Sequence, residues 1–253
     1  MRKDSVKADC RDQLDVTANM TRPLQRVRVE KHSHIIEDKQ NVVSAHMKAE
    51  GYGDVKDPRM ISGVKTHHTI ELGRYYYVVK DHLKKFKWFI PGLKPTEVAN
   101  AIHDYCSDVT EVKETDYSRF DGTISEFLTV KVEHAILFKL FGEKPELIEL
   151  LKQDRNLRAF TSSGVKYETG WARLSGSQST TVGNTLINAY VAYCAYRNSG
   201  VRRQRAFRLI GPKYGDDGID KTIGDFVETG KDLGLKIKEE TMSTDKWVTF
   251  CGR

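Results

Sequence analysis

Two adjacent carboxylates, Asp216 and Asp217, stand in the segment Lys213-Tyr214-Gly215-Asp216-Asp217-Gly218. The flanking glycines leave φ free, so a tight turn can present both acids outward. Acids this close repel unless a divalent cation sits between them. Alone, the pair would read as an ordinary Asp-Gly hairpin turn. What changes the reading is a second acidic pair, Asp116 and Asp121, in Asp116-Tyr117-Ser118-Arg119-Phe120-Asp121-Gly122. Phosphoryl transfer uses such a set: two metal ions about 3.5–4 Å apart, gripped by carboxylates from separate strands, activate an attacking hydroxyl and hold a leaving pyrophosphate. Oxygen ligands with retained water point to two ions of Mg²⁺ or Mn²⁺.

A third polar element, Ser175-Gly176-Ser177-Gln178-Ser179-Thr180-Thr181-Val182-Gly183-Asn184-Thr185, is a flexible loop entering a helix. On a helix Thr180, Asn184 and Asn188 fall on one face at i, i+4 and i+8. Helix capping explains one or two of the hydroxyls. It leaves Asn184 and Asn188 unaccounted for on an otherwise apolar segment.

The elements that must carry these residues follow from spacing. A helix is expected after the Thr96 cap and a weak strand over 109–116. Apolar residues at helical spacing predict a core helix from Ser125 to Phe141, stopped by Gly142. A short helix from Pro145 to Lys152 has its proline in the first turn, where the missing N–H costs nothing. Thr180 to Asn198 reads as a long apolar helix and Thr222 to Leu233 as another. Short strands are expected at 206–210, 235–238 and 247–251. Gly211-Pro212 lies where a central strand should run, and proline cannot donate to a ladder. A bend or bulge at Gly211 is therefore expected in a strand through Phe207, Leu209 and Ile210. Mixed helix and strand argue for an α+β class.

Taken in order, D-x4-D at Asp116/Asp121, S-G-x3-T-x3-N at Ser175/Gly176/Thr180/Asn184 and G-D-D at Gly215/Asp216/Asp217 resemble the catalytic region of the viral RNA-dependent RNA polymerases of positive-strand viruses. The similarity is greatest to the nodavirus replicase group, with tombusvirus-like features. It implies a right-hand polymerase fold, fingers and palm, with an antiparallel palm sheet flanked by helices and the thumb missing. The implied segments are fingers over 1–95, palm over 96–150, a fingers insertion over 151–174 and palm again over 175–253. By the same resemblance Asp116, Asp216 and Asp217 bind the metals. Asp121, Thr180 and Asn184 read the ribose 2′-hydroxyl, while Ser175 and Gly176 form a loop beside the template. Lys56-Asp57-Pro58-Arg59 resembles the basic fingers motif, so Lys56 and Arg59 meet the triphosphate; Lys65 and Arg74 match more loosely, and Arg74 could equally be a structural ion-pair partner. Lys246 is the implied proton donor to pyrophosphate, with Lys236 and Lys238 as competitors. Trp247 to Arg253 looks like the primer-gripping hairpin.

Composition narrows the alternatives. In 253 residues, 41 Lys+Arg against 35 Asp+Glu leave a net +6, which suits a polyanion without requiring one. Four cysteines without a C-x-x-C pair indicate neither a zinc knuckle nor a disulfide framework. His32 and His34, without a Cys or carboxylate at ligand spacing, read as solvated or structural rather than metal-binding. No apolar run reaches the roughly 20 residues needed to span a bilayer, so no membrane insertion is expected from this segment. The expected partners are an RNA template, the nascent strand, NTPs and other replicase regions. The expected location is the host cytoplasm, at a membrane-bound replication compartment on the mitochondrial outer membrane, reached through a region outside this fragment. One rival is a reverse transcriptase, because Tyr214 precedes the acidic pair; those enzymes generally place a bulky aromatic where Asp121 stands. The other is a noncatalytic RNA-binding module.

Overall fold

A computed structural model describes residues 7–33, 41–51, 53, 55, 57–245 and 248–251. His34, Lys56, Lys246, Trp247 and Arg253 lie outside them. In chain order, α1 (Gln13–Ala18) and α2 (Pro23–Ser33) precede β1 (Val43–Met47) and β2 (Met60–Gly63). Then come α3 (Thr66–Leu83), α4 (Pro95–Cys106), β3 (Glu111–Tyr117), the short α5 (Phe120–Thr123), a π-helical stretch Leu128–His134, and α6 (Ala135–Phe141). They are followed by α7 (Pro145–Lys152), β4 (Arg158–Thr161), β5 (Lys166–Glu168), α8 (Ser179–Asn198) and α9 (Arg203–Leu209). The hairpin β6 (Lys213–Tyr214) and β7 (Asp217–Lys221), α10 (Phe226–Asp232) and β8 (Ile237–Ser243) close the order. The class is α+β, as expected. No helix among the described residues is long and apolar enough to cross a membrane.

Contacts divide the chain into two compact units, Met1–Val79 with Ile136–Thr180, and Lys80–Ala135 with Thr181–Arg253. The first holds a four-stranded sheet in the order β2-β1-β4-β5, with β1 parallel to β4 and the other pairs antiparallel. Its core gathers Val43, Val64, Leu157, Ala159 and Leu174, and a second cluster packs Val16 and Met20 on Ile70. Tyr75 meets Phe141 edge to face at 5.1 Å.

The second unit holds an antiparallel sheet in the order β6-β7-β3-β8. Along β3 the side chains alternate between two faces. Thr115 and Tyr117 are buried on one of them, and Asp116 is exposed on the other. Tyr117 joins Phe120, Leu128, Ile187, Val191 and Ile237 in one core, whereas Val112 joins Ile90, Cys106, Ile219 and Phe250 in another. Residues 182–189 of α8 are buried without a break. A helix buried on every side has no amphipathic stripe, which is why its sequence is apolar or small nearly all round.

Several expected elements change. The helix expected over Ser125–Phe141 is π-helical from Leu128 to His134 before it becomes α-helical. Residues 206–210 are not a strand. Residues 206–209 belong to α9, whose Arg, Gln, Ala and Leu are good helix formers; Ala206 and the C-cap Ile210 are buried while Phe207 stays exposed. No bulge is needed at Gly211, because β6 begins at Lys213, after Pro212. The glycine is required for another reason: a Cβ there would lie 1.9 Å from the Ile219 carbonyl oxygen. Residues 248–251 form no strand, and Phe250 is buried in the core beside Val112 instead.

The hairpin is anchored from inside by Lys213 and Asp220, both fully buried and ion-paired to each other. Asp220 also accepts hydrogen bonds from the Gly211 N–H at 3.2 Å and the Tyr196 hydroxyl at 3.3 Å. Burial pushes the Lys213 ammonium down and the Asp220 carboxyl up, so neither charge is sustained without the other. Breaking one half of such a pair strands the other charge. Asp220→Ala is expected to cost about 3–5 kcal/mol of unfolding free energy, measured by urea denaturation.

Candidate active site

Across the β6–β7 hairpin Tyr214 pairs with Asp217, which leaves Gly215 and Asp216 as a two-residue loop. Gly215 has φ +63° and Asp216 does not share the left-handed region, the pattern of a type II′ turn with glycine first. On the neighbouring strand Thr115 lies opposite Gly218. One step further along this antiparallel register places Asp116 across from Asp217. The carboxylates act on one another. Asp216 is raised above the ordinary aspartate range, first by partial burial of its carboxyl against the turn and then by the negative fields of Asp217, Asp121 and Asp116. Burial also raises Asp217, Asp116 adds to it, and a hydrogen bond from Cys251 opposes both. Glu114, on the Asp116 face of β3, is raised mainly by burial, with Asp217, Glu240 and Asp116 adding.

Behind the turn stands α8. The Asn188 side-chain amide donates to the carbonyls of Gly215, Asp216 and Asp217 at 3.1, 3.0 and 3.1 Å. Two N–H bonds serve three acceptors, so the donors are shared. The Asn188 carbonyl in turn accepts from the Tyr117 hydroxyl at 3.1 Å. The Gly215 N–H is taken by the Thr185 hydroxyl at 2.9 Å. One turn earlier Asn184 donates to Asp121 at 2.7 Å. Asp121 reaches that position because Arg119, at φ +54°, bends the chain from β3 into α5.

Do these residues fit the expected cations? The donors are hard oxygens, and their mutual repulsion is the field a cation would relieve. Among the described residues no three His, Cys, Asp or Glu side chains close a metal site by themselves. Mg²⁺, where bound, keeps much of its water and takes one or two carboxylates together with substrate phosphates.

The remaining expected residues belong to the other unit, apart from the lysine candidates. Ser175 accepts from the Ser62 N–H at 2.9 Å, and the Gly176 N–H donates to the Ser62 carbonyl at 3.0 Å. A Cβ on Gly176 would lie 2.6 Å from that carbonyl oxygen, so only glycine docks there. Thr180 turns its hydroxyl onto the Leu174 and Ser177 carbonyls at 2.6 and 3.0 Å. The loop is tied down further by Asp154, which accepts from Ser177 at 3.0 Å, from Ser179 at 3.1 Å, and faces the buried His68 at 3.2 Å. Arg59, at the foot of β2, is largely exposed and lies 3.7 Å from Glu50. Arg74 binds Glu71 at 2.9 Å and the Arg11 carbonyl at 2.9 Å, a structural commitment. Back in the second unit, Lys238 is paired in register with Asp116, and Lys236 uses its carbonyl to accept from the Ser118 N–H at 2.9 Å.

Comparison with known proteins now decides the family. The model for viral RNA-dependent RNA polymerases matches residues 56–217. The chain belongs to that family. Among its relatives are the RNA-directed RNA polymerases of Striped jack nervous necrosis virus, 36% identical over 88% of this chain, and of Pariacoto virus, 34% identical over 84%. That of Flock house virus is 31% identical over 79%. The polymerase-family chain spans 23%, 23% and 21% of the length of these three relatives. Its fold is shared with two crystal structures of the RNA-dependent RNA polymerase of a human picorbirnavirus, one of them an insertion-loop deletion mutant. Their TM-scores are 0.73 for the mutant and 0.71, at 14% and 13% identity. They cover 98% and 95% of this chain, which spans 55% and 52% of theirs.

In this polymerase-family chain, Thr185 and Asn188 are the residues that sequence reasoning left out of the site. The one signal was an asparagine without a role on an apolar helix. Because Asn188 is buried and donates to three carbonyls, Asn188→Asp would set a carboxylate against three acceptors. A loss of about 3–5 kcal/mol is expected, read by chemical denaturation. Neutralising Asp216 should do the reverse. Its raised pKa means that the folded state favours the protonated form, so ionisation costs stability as pH rises through that pKa. Asp216→Asn should therefore melt above the parent protein at pH 7, and the gain should vanish below about pH 4, where the parent aspartate is protonated in both states.

Proposed function

We propose that this chain carries the nucleotide-transfer centre of an RNA-directed RNA polymerase, extending an RNA 3′-hydroxyl from NTPs under the direction of an RNA template. The observation that carries the reading is the convergence of Asp116, Asp216 and Asp217 at one hairpin, with Asp121 hydrogen-bonded to Asn184 beside them. In this reading the second unit is the palm, and the unit bearing Arg59 and the Ser175-Gly176 loop belongs to the fingers.

Asp116, Asp216 and Asp217 would hold two Mg²⁺ or Mn²⁺ ions, which when bound lower the barrier to attack by the 3′-hydroxyl and neutralise the leaving pyrophosphate. Asn188 and Thr185 hold the turn so that its acids stay in place while charge changes around them. Arg59 and Lys56 meet the β- and γ-phosphates, where a guanidinium offers a two-point grip. Lys246 delivers a proton to pyrophosphate, with Lys238 the competing donor because it is paired in register with Asp116. Asp121 and Asn184 read the ribose 2′-hydroxyl, which both donates and accepts. Ser175 and Gly176 border the template and the nascent strand. The Asp121–Asn184 bond favours this reading over a reverse transcriptase, which has no use for a polar pair that welcomes the hydroxyl.

Primer extension on an RNA template with NTPs and Mg²⁺ tests the assignment. Asp216→Ala should abolish incorporation and leave RNA affinity unchanged; retained activity would remove the turn from catalysis. Asp121→Ala should raise the use of dNTPs relative to NTPs, and an unchanged ratio would take Asp121 out of sugar selection.

A further inference from the structure

The two longest stretches of the chain without a carboxylate are His82 to Thr96 and Thr169 to Gly215. The fold joins their most basic parts. The Trp88 carbonyl accepts from the Lys213 N–H at 2.8 Å, and the Lys213 carbonyl accepts from the Ile90 N–H at 3.2 Å, so residues 88–90 run along β6. α9 leads into the same strand. Phe86 meets Phe207 edge to face at 5.6 Å and lies parallel to Trp88 at 5.8 Å. Lys85 and Lys87, on either side of Phe86, and Arg202, Arg203, Arg205 and Arg208, in or next to the helix that carries Phe207, are all exposed.

That arrangement works against the helix carrying it. α9 has no acid in its first turn, where the helix dipole favours one. Arginines at 202, 205 and 208 repel one another at i, i+3 spacing. None of the six cations forms an ion pair among the described residues. The concentration of charge makes sense against a polyanion.

We infer that this basic, aromatic surface at the β6 edge is an RNA-holding site separate from the acidic turn, taking single-stranded RNA through its phosphates. The choice of RNA rests on the polymerase reading; the demand for a polyanion does not. Exposed Phe207 offers a ring for a base to stack on, and the guanidiniums of the same segment offer planar grips for successive phosphates. An anionic membrane surface fits less well, because Ala206 and Ile210 are buried and Leu209 is half-buried, so Phe207 is the one large exposed apolar side chain α9 could offer to acyl chains.

The test uses the whole purified chain, a short fluorescein-labelled oligouridylate and fluorescence anisotropy at several salt concentrations. The triple substitution Arg202→Glu, Arg205→Glu and Arg208→Glu should weaken RNA binding about tenfold or more. The slope of log affinity against log salt should flatten by about 0.7 for each phosphate that is no longer neutralised. Phe207→Ala should also weaken binding. Lys231→Glu, a charge reversal at an exposed position of α10 outside this group, should bind as the parent does. Circular dichroism checks folding, and Arg205→Gln replaces the triple variant should that one unfold; it should lose less affinity in the same direction. Parent-like affinity and salt slope in the folded variants would overturn the inference. So would unchanged RNA binding together with lost co-sedimentation on phosphatidylserine vesicles, which would assign the surface to lipid. A parent chain that fails primer extension but loses RNA affinity on the triple substitution would sink the transfer reading and keep the surface.

Discussion

A turn that gathers negative charge must be held from behind, and one buried side chain does most of the holding. Asn188 spreads its amide over the three carbonyls of Gly215, Asp216 and Asp217 and receives the Tyr117 hydroxyl on its other end. A neutral donor is the only kind that serves here. A buried cation would compete for the acids, and an acceptor would repel the carbonyls. The Tyr117 phenol is kept protonated far above its usual range by burial, with Asp220 and Asp216 adding, so the chain of donors from β3 through α8 to the turn keeps its direction.

Around this clasp the second unit separates its charges by depth. Lys213 and Asp220 neutralise each other at zero exposure beneath the hairpin. Asp116, Asp216 and Asp217 are left at its rim without a cation of their own among the described residues. The hairpin thus places its compensated pair inside and its uncompensated acids outside, and like-charge repulsion is confined to the rim.

Much of this was legible in the sequence. The acids declared themselves through repetition, and α8 through a long apolar run. What stayed hidden has a common cause. The carbonyls that Asn188 binds lie 27 to 29 residues away, and a bond from a side chain to a distant backbone leaves no local pattern. α9 was misread because Phe207, Leu209 and Ile210 look strand-like when burial is assumed; in the fold Phe207 is exposed, Leu209 half-buried, and only the i, i+4 pair Ala206/Ile210 is fully buried. The need for Gly211 arises from a carbonyl on another strand, which no property of its neighbours announces.

The register of β3 on β7 bears on how the site comes into being. Thr115 and Gly218, which set Asp116 beside Asp217, are 103 residues apart in the chain. Such a pairing cannot nucleate locally; a long loop must close before any of its contacts form, and sheets of this kind fold slowly for that reason. Every helix in between could form while the acids were still far apart. Assembly of the acidic centre therefore reports completion of the whole second unit, and a chain cut anywhere between β3 and β7 would keep much of its secondary structure and none of its paired carboxylates.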